Sequence, residues 1–160
     1  MAVPAAGSPT SEPRGSAASR IGRGAVRLLA SLDYRTLTEF PLPDGRRADI
    51  AAIDPRGVFA IVEIKSSVAD FRADAKWRHY GAFCDGFYFA VDPRFPWALL
   101  PEDVGIIVAD AWSGAVLRPA VPASLNPARR RALLLRFART ASARLSVLGD
   151  PGLAWAGPEW

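Results

Sequence analysis

The stretch PDGRRADIAAIDPRGVFAIVEIK, residues Pro43 to Lys65, carries two copies of one turn signal separated by a run of mostly apolar residues. Pro43-Asp44-Gly45 and Pro55-Arg56-Gly57 each place Pro at the first loop position and Gly at the third. This is the chemistry of a three-residue hairpin loop, in which a type I turn is closed by a left-handed Gly. Three strands follow from the two turns: Thr36 to Leu42, Arg46 to Asp54 and Val58 to Lys65. A loop of fixed length also fixes register. Pairing Leu42 with Arg46 and Asp54 with Val58 puts Glu39 opposite Asp49, and Asp49 opposite Glu63. Three carboxylates then form one row across three strands, and the same count sets Lys65 opposite Arg47.

Directly opposed side chains have Cβ atoms roughly 4.5–5.5 Å apart, and like charges at that spacing repel. A hard divalent cation, taking carboxylate oxygens at about 2.0–2.1 Å as Mg²⁺ does, relieves the acidic row. An anion such as a phosphate relieves the Lys65–Arg47 pair. An acidic row beside a basic one is what metal-assisted phosphodiester cleavage requires: a metal to activate water and steady the leaving oxygen, and a cation to hold developing negative charge. The ordinary reading of polar strand residues is a solvated face. Against it, Ala51, Ile53, Phe59 and Ile61 continue the same face as apolar positions, and Val58, Val62 and Ile64 make the other face apolar. The charges therefore sit at one end of otherwise buried strands, where unpaired charge is rare.

Outward from this stretch, Ile21 to Leu32 has helical apolar spacing with arginines between. Ser67-Val68-Ala69-Asp70 reads as a capping box opening a helix to about Cys84, with Ala73, Trp77, Tyr80 and Cys84 on one stripe. Gly86 to Val91 and Val104 to Ala109 read as strands, and Ala115 to Arg118 as an edge strand turned back through Trp112-Ser113-Gly114. Asn126 and Pro127 are an N-cap and N1 pair for a last helix reaching about Leu148. The order specifies an α/β domain: an antiparallel meander joined by a parallel strand through a crossover helix, in a mixed sheet flanked by helices. Residues 1–18, rich in Ala, Ser, Pro and Gly, are expected to be a disordered tail. Residues 19–148 form the domain, and 149–160 a second tail with no clear signal.

A chain of 160 residues supports one core. Twenty basic against sixteen acidic residues is only a mild excess, but seven arginines and no acid between Ala111 and Gly149 make one region distinctly basic. With Cys84 the lone cysteine and His79 the lone histidine, neither a disulfide nor a paired-His zinc site can form within the chain. No apolar run approaches the roughly 18–20 residues of a membrane helix, and no export signal is evident. A soluble cytoplasmic protein without membrane attachment is expected. Of the basic residues only Lys65 and Lys76 are lysines, so Lys65 stands out as a compact point charge at the site.

Asp49, thirteen intervening residues, then Glu63-Ile64-Lys65 across a hairpin resembles the PD-(D/E)xK nuclease superfamily. The longer pattern is more specific: Gly45-Arg-Arg-Ala-Asp-Ile50, Val62-Glu-Ile-Lys-Ser-Ser-Val-Ala-Asp-Phe71, Lys76-Trp77, Tyr80 and Cys84-Asp-Gly-Phe-Tyr-Phe-Ala-Val91. It is similar to the bacterial MmcB-like DNA repair proteins. The resemblance implies a restriction endonuclease-like αβββαβ core and a DNA endonuclease. Asp49 and Glu63 would hold Mg²⁺ or Mn²⁺ with the Ile64 carbonyl as a further ligand, and Lys65 would orient water or stabilise the pentavalent phosphate. The acid that superfamily nucleases often carry on the first helix is missing, and Glu39 is the substitute; Ala48 replaces the Pro before the Asp.

Arg47, Ser66, Ser67 and Lys76 are the expected nucleic-acid contacts, although Ser67 serves equally as a helix cap. Trp77 and Tyr80 fit a core stripe or a base-stacking platform. The last helix's arginines fit a solvated face or a phosphate backbone. An RNA-processing nuclease would use the same residues, a non-catalytic DNA-binding or scaffolding module would keep the fold, and a homodimer would suit double-strand cleavage.

Overall fold

The structure, a computed structural model, describes residues 15–154. The expected N-terminal tail therefore lies outside the described residues up to position 14. Within them helix α1 (Ala17–Ser31) begins earlier than its apolar spacing suggests, because the Ser16 hydroxyl caps it by accepting from the Ser19 N–H at 3.2 Å.

Strands β1 (Arg35–Pro41), β2 (Arg47–Ile53) and β3 (Phe59–Lys65) form the meander. Both turns close as their chemistry requires. The Gly45 N–H donates to Leu42 O at 3.1 Å and the Gly57 N–H to Asp54 O at 3.0 Å, with the two glycines at φ 84° and 79°. The register that follows pairs Phe40 with Ala48 and Ile50 with Val62, as the loop lengths dictate.

The chain then crosses through helix α2 (Val68–Ala73) and a 3₁₀ helix (Trp77–Phe83) into strand β4 (Gly86–Val91), parallel to β3. The single helix expected from Ser67 to Cys84 is thus two pieces. Asp74 ends the first, its side chain accepting from the Lys76 N–H at 2.9 Å, a local bond that competes with helical continuation. Strand β5 (Gly105–Ala109) also joins in parallel, giving two parallel junctions where one was expected, and β6 (Gly114–Arg118) returns antiparallel as the edge. The six strands lie in sequence order. Helix α3 (Pro127–Gly149) starts at the Asn126 cap, whose side chain accepts from the Ala128 and Arg129 N–H groups.

Both faces of the sheet are covered. α1 packs Ile21, Ala25 and Leu29 on Ile50, Ala52, Ala60, Val62, Ala90 and Ile107. The opposite face is larger and aromatic: Phe40, Phe59 and Phe137 meet with ring centroids 5.8–6.2 Å apart, and Trp77 and Tyr80 stack on Phe87 at 5.6 and 5.9 Å. These are edge and offset contacts of the kind that add to burial. Trp77 and Tyr80 are therefore core rings.

α3 is tied down by one buried carboxylate. Asp85 accepts from the Phe59 N–H at 2.8 Å, the Leu125 N–H at 3.1 Å and both Arg130 terminal nitrogens at 2.6 Å. Although burial opposes ionisation, these donors hold its carboxyl below the usual range. Arg129 donates to Ala82 O at 2.8 Å, and Arg144 donates to Thr38 O at 2.5 Å and Glu39 O at 2.7 Å. Three of the arginines expected to face either solvent or phosphate instead fasten the helix: Arg144 to β1, Arg129 to the 3₁₀ helix, and Arg130 to Asp85 just before β4.

α1 approaches the β5–β6 turn where only glycine fits: a Cβ on Gly24 would lie 2.1 Å from Asp110 O and 2.5 Å from Ser113 O. Those are backbone atoms that cannot swing away, so Gly24→Ala forces the helix off the sheet. We expect it to lower Tm by roughly 5–10 °C, measured by calorimetry; an unchanged Tm would contradict this packing.

Candidate functional site

The site lies at the open end of the β2–β3 hairpin, where the regular ladder stops at Ile50–Val62. Side-chain alternation slips at this point on both β1 and β2. Leu37 and Phe40, three apart, reach the same core, as do Ala48 and Ala51. Between them Glu39 takes a left-handed φ of 50° and drops out of the ladder, a conformation seldom held by a non-glycine residue unless its surroundings impose it. Arg144 holds the two successive carbonyls at this step, those of Thr38 and Glu39.

The slip aims Asp49 into the gap between β2 and β3. Its Oδ2 accepts from the Ile64 N–H at 2.8 Å, and Glu63 Oε1 accepts from the Asp49 N–H at 3.0 Å. Each strand thus satisfies a backbone donor with the other strand's carboxylate, and Asp49 Oδ1 and Glu63 Oε2 take no part in the exchange. Glu63 is 5% exposed. Burial, then the charge of Asp49, pushes its carboxyl up to about 8. Burial and the neighbouring charge of Glu39 raise Asp49 as well. Two hard-oxygen acids, Glu63 buried and Asp49 half-buried next to it, both resisting ionisation, fit a divalent cation, and the Ile64 carbonyl belongs to the same strand end.

Lys65 is 5% exposed. Its Nζ lies 2.6 Å from Asp74 Oδ2 and 5.9 Å from the centre of the Phe89 ring. Asp74, held below the usual carboxylate range by Lys65 and the Lys76 N–H against the pull of burial, is the residue that sequence reasoning missed. Helical spacing places it one turn after Asp70 on an uninterrupted helix; only the break brings it over β3. Tyr80 also reaches the site, its hydroxyl donating to Arg47 O at 3.1 Å. Burial and the charges of Glu63, Asp49 and Asp74 raise its pKa.

The structure changes three expectations. Glu39 does not join a carboxylate row: its carboxylate pairs with the Arg47 guanidinium on the surface. No group of three His, Cys, Asp or Glu side chains is gathered for a metal ion among the described residues. Arg47, so engaged, and Lys65, bonded to Asp74, do not form the expected like-charge pair. Ser66 and Ser67 serve the start of α2: Asp70 Oδ2 accepts from the Ser66 N–H at 3.0 Å and from its hydroxyl at 3.2 Å, and Ser67 Oγ accepts from the Asp70 N–H at 3.1 Å. The capping box therefore closes back one residue further than expected. Lys76 and His79 are exposed.

Fold and site together define a mixed α/β domain with a buried acid and lysine, Glu63 and Lys65, and a half-buried acid, Asp49, at a strand opening. The chain belongs to the MmcB-like family, described as DNA repair protein MmcB-like, whose model matches residues 7–152. It is similar to a solved structure of the SPO1766 protein of unknown function from Silicibacter pomeroyi. That likeness has 40% identity and a TM-score of 0.83, covering 89% of this chain and 98% of that one. No curated protein matches. No helix among the described residues is long and apolar enough to cross a membrane.

The raised Glu63 carboxyl has a consequence for stability. In the unfolded chain it ionises near 4.5, in the folded one near 8. Folding therefore favours the protonated form, and this contribution declines as pH rises from about 5 to about 8. In chelator-containing buffer Glu63→Gln removes most of that decline and melts roughly 5–10 °C above wild type at pH 8.5. Equal melting at that pH would refute the assignment.

Proposed function

We propose that the chain is a divalent-metal-dependent nuclease acting on DNA, built on the PD-(D/E)xK plan. The observation that carries this reading is the exchange at the strand opening, which sets half-buried Asp49 of β2 beside buried Glu63 of β3, with Lys65 two residues further along β3. Asp49, Glu63 and the Ile64 carbonyl would hold Mg²⁺ or Mn²⁺, which when bound supplies Lewis-acid polarisation of the phosphate and a more acidic water. The protein's own part is positioning and charge. The Asp49–Ile64 and Glu63–Asp49 hydrogen bonds fix both carboxylates against rotation. Lys65, a buried point charge, orients water or stabilises the negative charge gathering on the phosphate. Asp74 holds Lys65 in place; its own charge must be outweighed as the phosphate arrives.

A second reading, a non-catalytic DNA-binding module, is favoured by one observation. With Glu39 on Arg47 and Lys65 on Asp74, the site holds two acids for a cation and a lysine already partnered. Competition between matched DNA and RNA substrates separates DNA from RNA processing.

Purified protein is to be assayed on nicked, mismatched, branched and single-stranded DNA with Mg²⁺ or Mn²⁺. Cleavage is expected on at least one substrate, with Asp49→Ala, Glu63→Ala and Lys65→Ala each reducing it at least about 100-fold. Cleavage unaffected by these substitutions would sink the site, and salt-sensitive binding without cleavage of any substrate would establish the module.

A further inference from the structure

The turn between β5 and β6 stands at the same end of the sheet as the acids and lysine. β3, β4 and β5 run parallel, with Lys65 level with Val91 and Val91 level with Val108, so the carboxyl ends of all three strands open on one edge. Just beyond β5 the turn presents Trp112, a large ring left 45% exposed. Two arginines of α1 lie over it as cation–π partners: the guanidinium carbons of Arg23 and Arg27 are 5.7 and 5.9 Å from the ring centre, and Arg27 Nη1 donates to Trp112 O at 3.1 Å.

The assembly is rigidly built. Gly24 lets the α1 backbone rest on the turn. The Asp110 carboxylate accepts from the Trp112 and Ser113 N–H groups at 2.7 and 2.8 Å, which keeps this neighbouring acid turned into the loop. α1 itself contains no acid, and neither Arg23 nor Arg27 forms an ion pair with a described residue. Two uncompensated cations beside an exposed indole match a phosphate backbone carrying an accessible base. Stacking on an aromatic ring is sequence-tolerant and needs a base face that an intact duplex keeps covered. On the sheet face opposite Glu63 and Lys65, α1 packs on the strand that carries them: a Cβ on Gly22 would lie 2.9 Å from the Ile64 side chain. From β3 to β5 the sheet spans roughly 10 Å, about three nucleotides at stacked spacing of ~3.4 Å.

We propose that Trp112, Arg23 and Arg27 form a subsite for an unpaired nucleic-acid strand, Trp112 stacking a base and the arginines neutralising adjacent phosphates, a few nucleotides from the Asp49–Glu63–Lys65 site. The position relative to the scission point rests on the nuclease reading above, but the subsite is tested by binding alone. Fluorescence anisotropy in EDTA, where cleavage cannot contribute, is measured with a labelled single-stranded DNA, the matching RNA, an abasic strand of equal length and a blunt duplex. Trp112→Ala is expected to weaken single-strand binding about 5- to 100-fold while changing abasic-strand and duplex binding less than about 2-fold. Trp112→Phe, which keeps a ring, retains most of the affinity and guards against a folding artefact, with melting curves as the check. Arg23→Ala with Arg27→Ala lowers the salt slope by about 1 to 2. The tighter of DNA and RNA identifies the strand's source. The proposal is overturned if Trp112→Ala leaves both single strands bound within about 2-fold, or weakens duplex binding by the same factor. Loss of the nuclease reading alone appears as Trp112-dependent binding with no cleavage in metal.

Discussion

Two backbone N–H groups at the mouth of one hairpin, those of Asp49 and Ile64, bond to side-chain carboxylates instead of opposing carbonyls. The rest of the arrangement depends on this exchange. Because carboxylates take over from the ladder, β2 and β3 can part without leaving buried donors unsatisfied. Because they part, Glu63 stays buried with half-buried Asp49 close to it. Neither ionises easily there, and the energetic conflict is relieved by a proton or by a cation. The same strand end places Lys65 under the α2–3₁₀ junction, where Asp74 neutralises it. A buried lysine without that partner would be strongly destabilising.

The scaffold around the opening is over-determined. Two identical turns, at opposite ends of β2, set the register. Next to the second, Asp85 gathers the start of β3, the segment before α3 and Arg130 into a single bonded group. The slip at Glu39, with its left-handed backbone, is held by Arg144 from α3. The long basic helix thus acts first as a brace for the edge strand from which the site is displaced.

Much of this was legible in the residues, and for identifiable reasons. Pro-x-Gly at a fixed spacing has few conformational solutions, so strand boundaries and register could be counted from it. Asn126-Pro127 marked the start of α3 for the same kind of local reason. Asp49, Glu63 and Lys65 could be brought together on that count alone. The count failed where a non-local bond overrode a local pattern. Glu39 should face Asp49 in a regular ladder, but ladders do not announce a left-handed residue; its carboxylate went to Arg47. Asp74 looked like one more position on a helix, and only its bonds to Lys65 and the Lys76 N–H convert that position into a helix end and a site residue. Arg130 read as part of a basic face because its partner, Asp85, is forty-five residues away.

The cation site proposed at the strand opening rests on Asp49 and Glu63. The most direct measurement is anomalous scattering from crystals grown with Mn²⁺, read together with the shift in melting temperature on adding the ion. One peak in contact with both Asp49 and Glu63 is expected, together with a rise in Tm that Glu63→Gln abolishes. Mn²⁺ bound elsewhere, or an equal rise in Tm with Glu63→Gln, would contradict it.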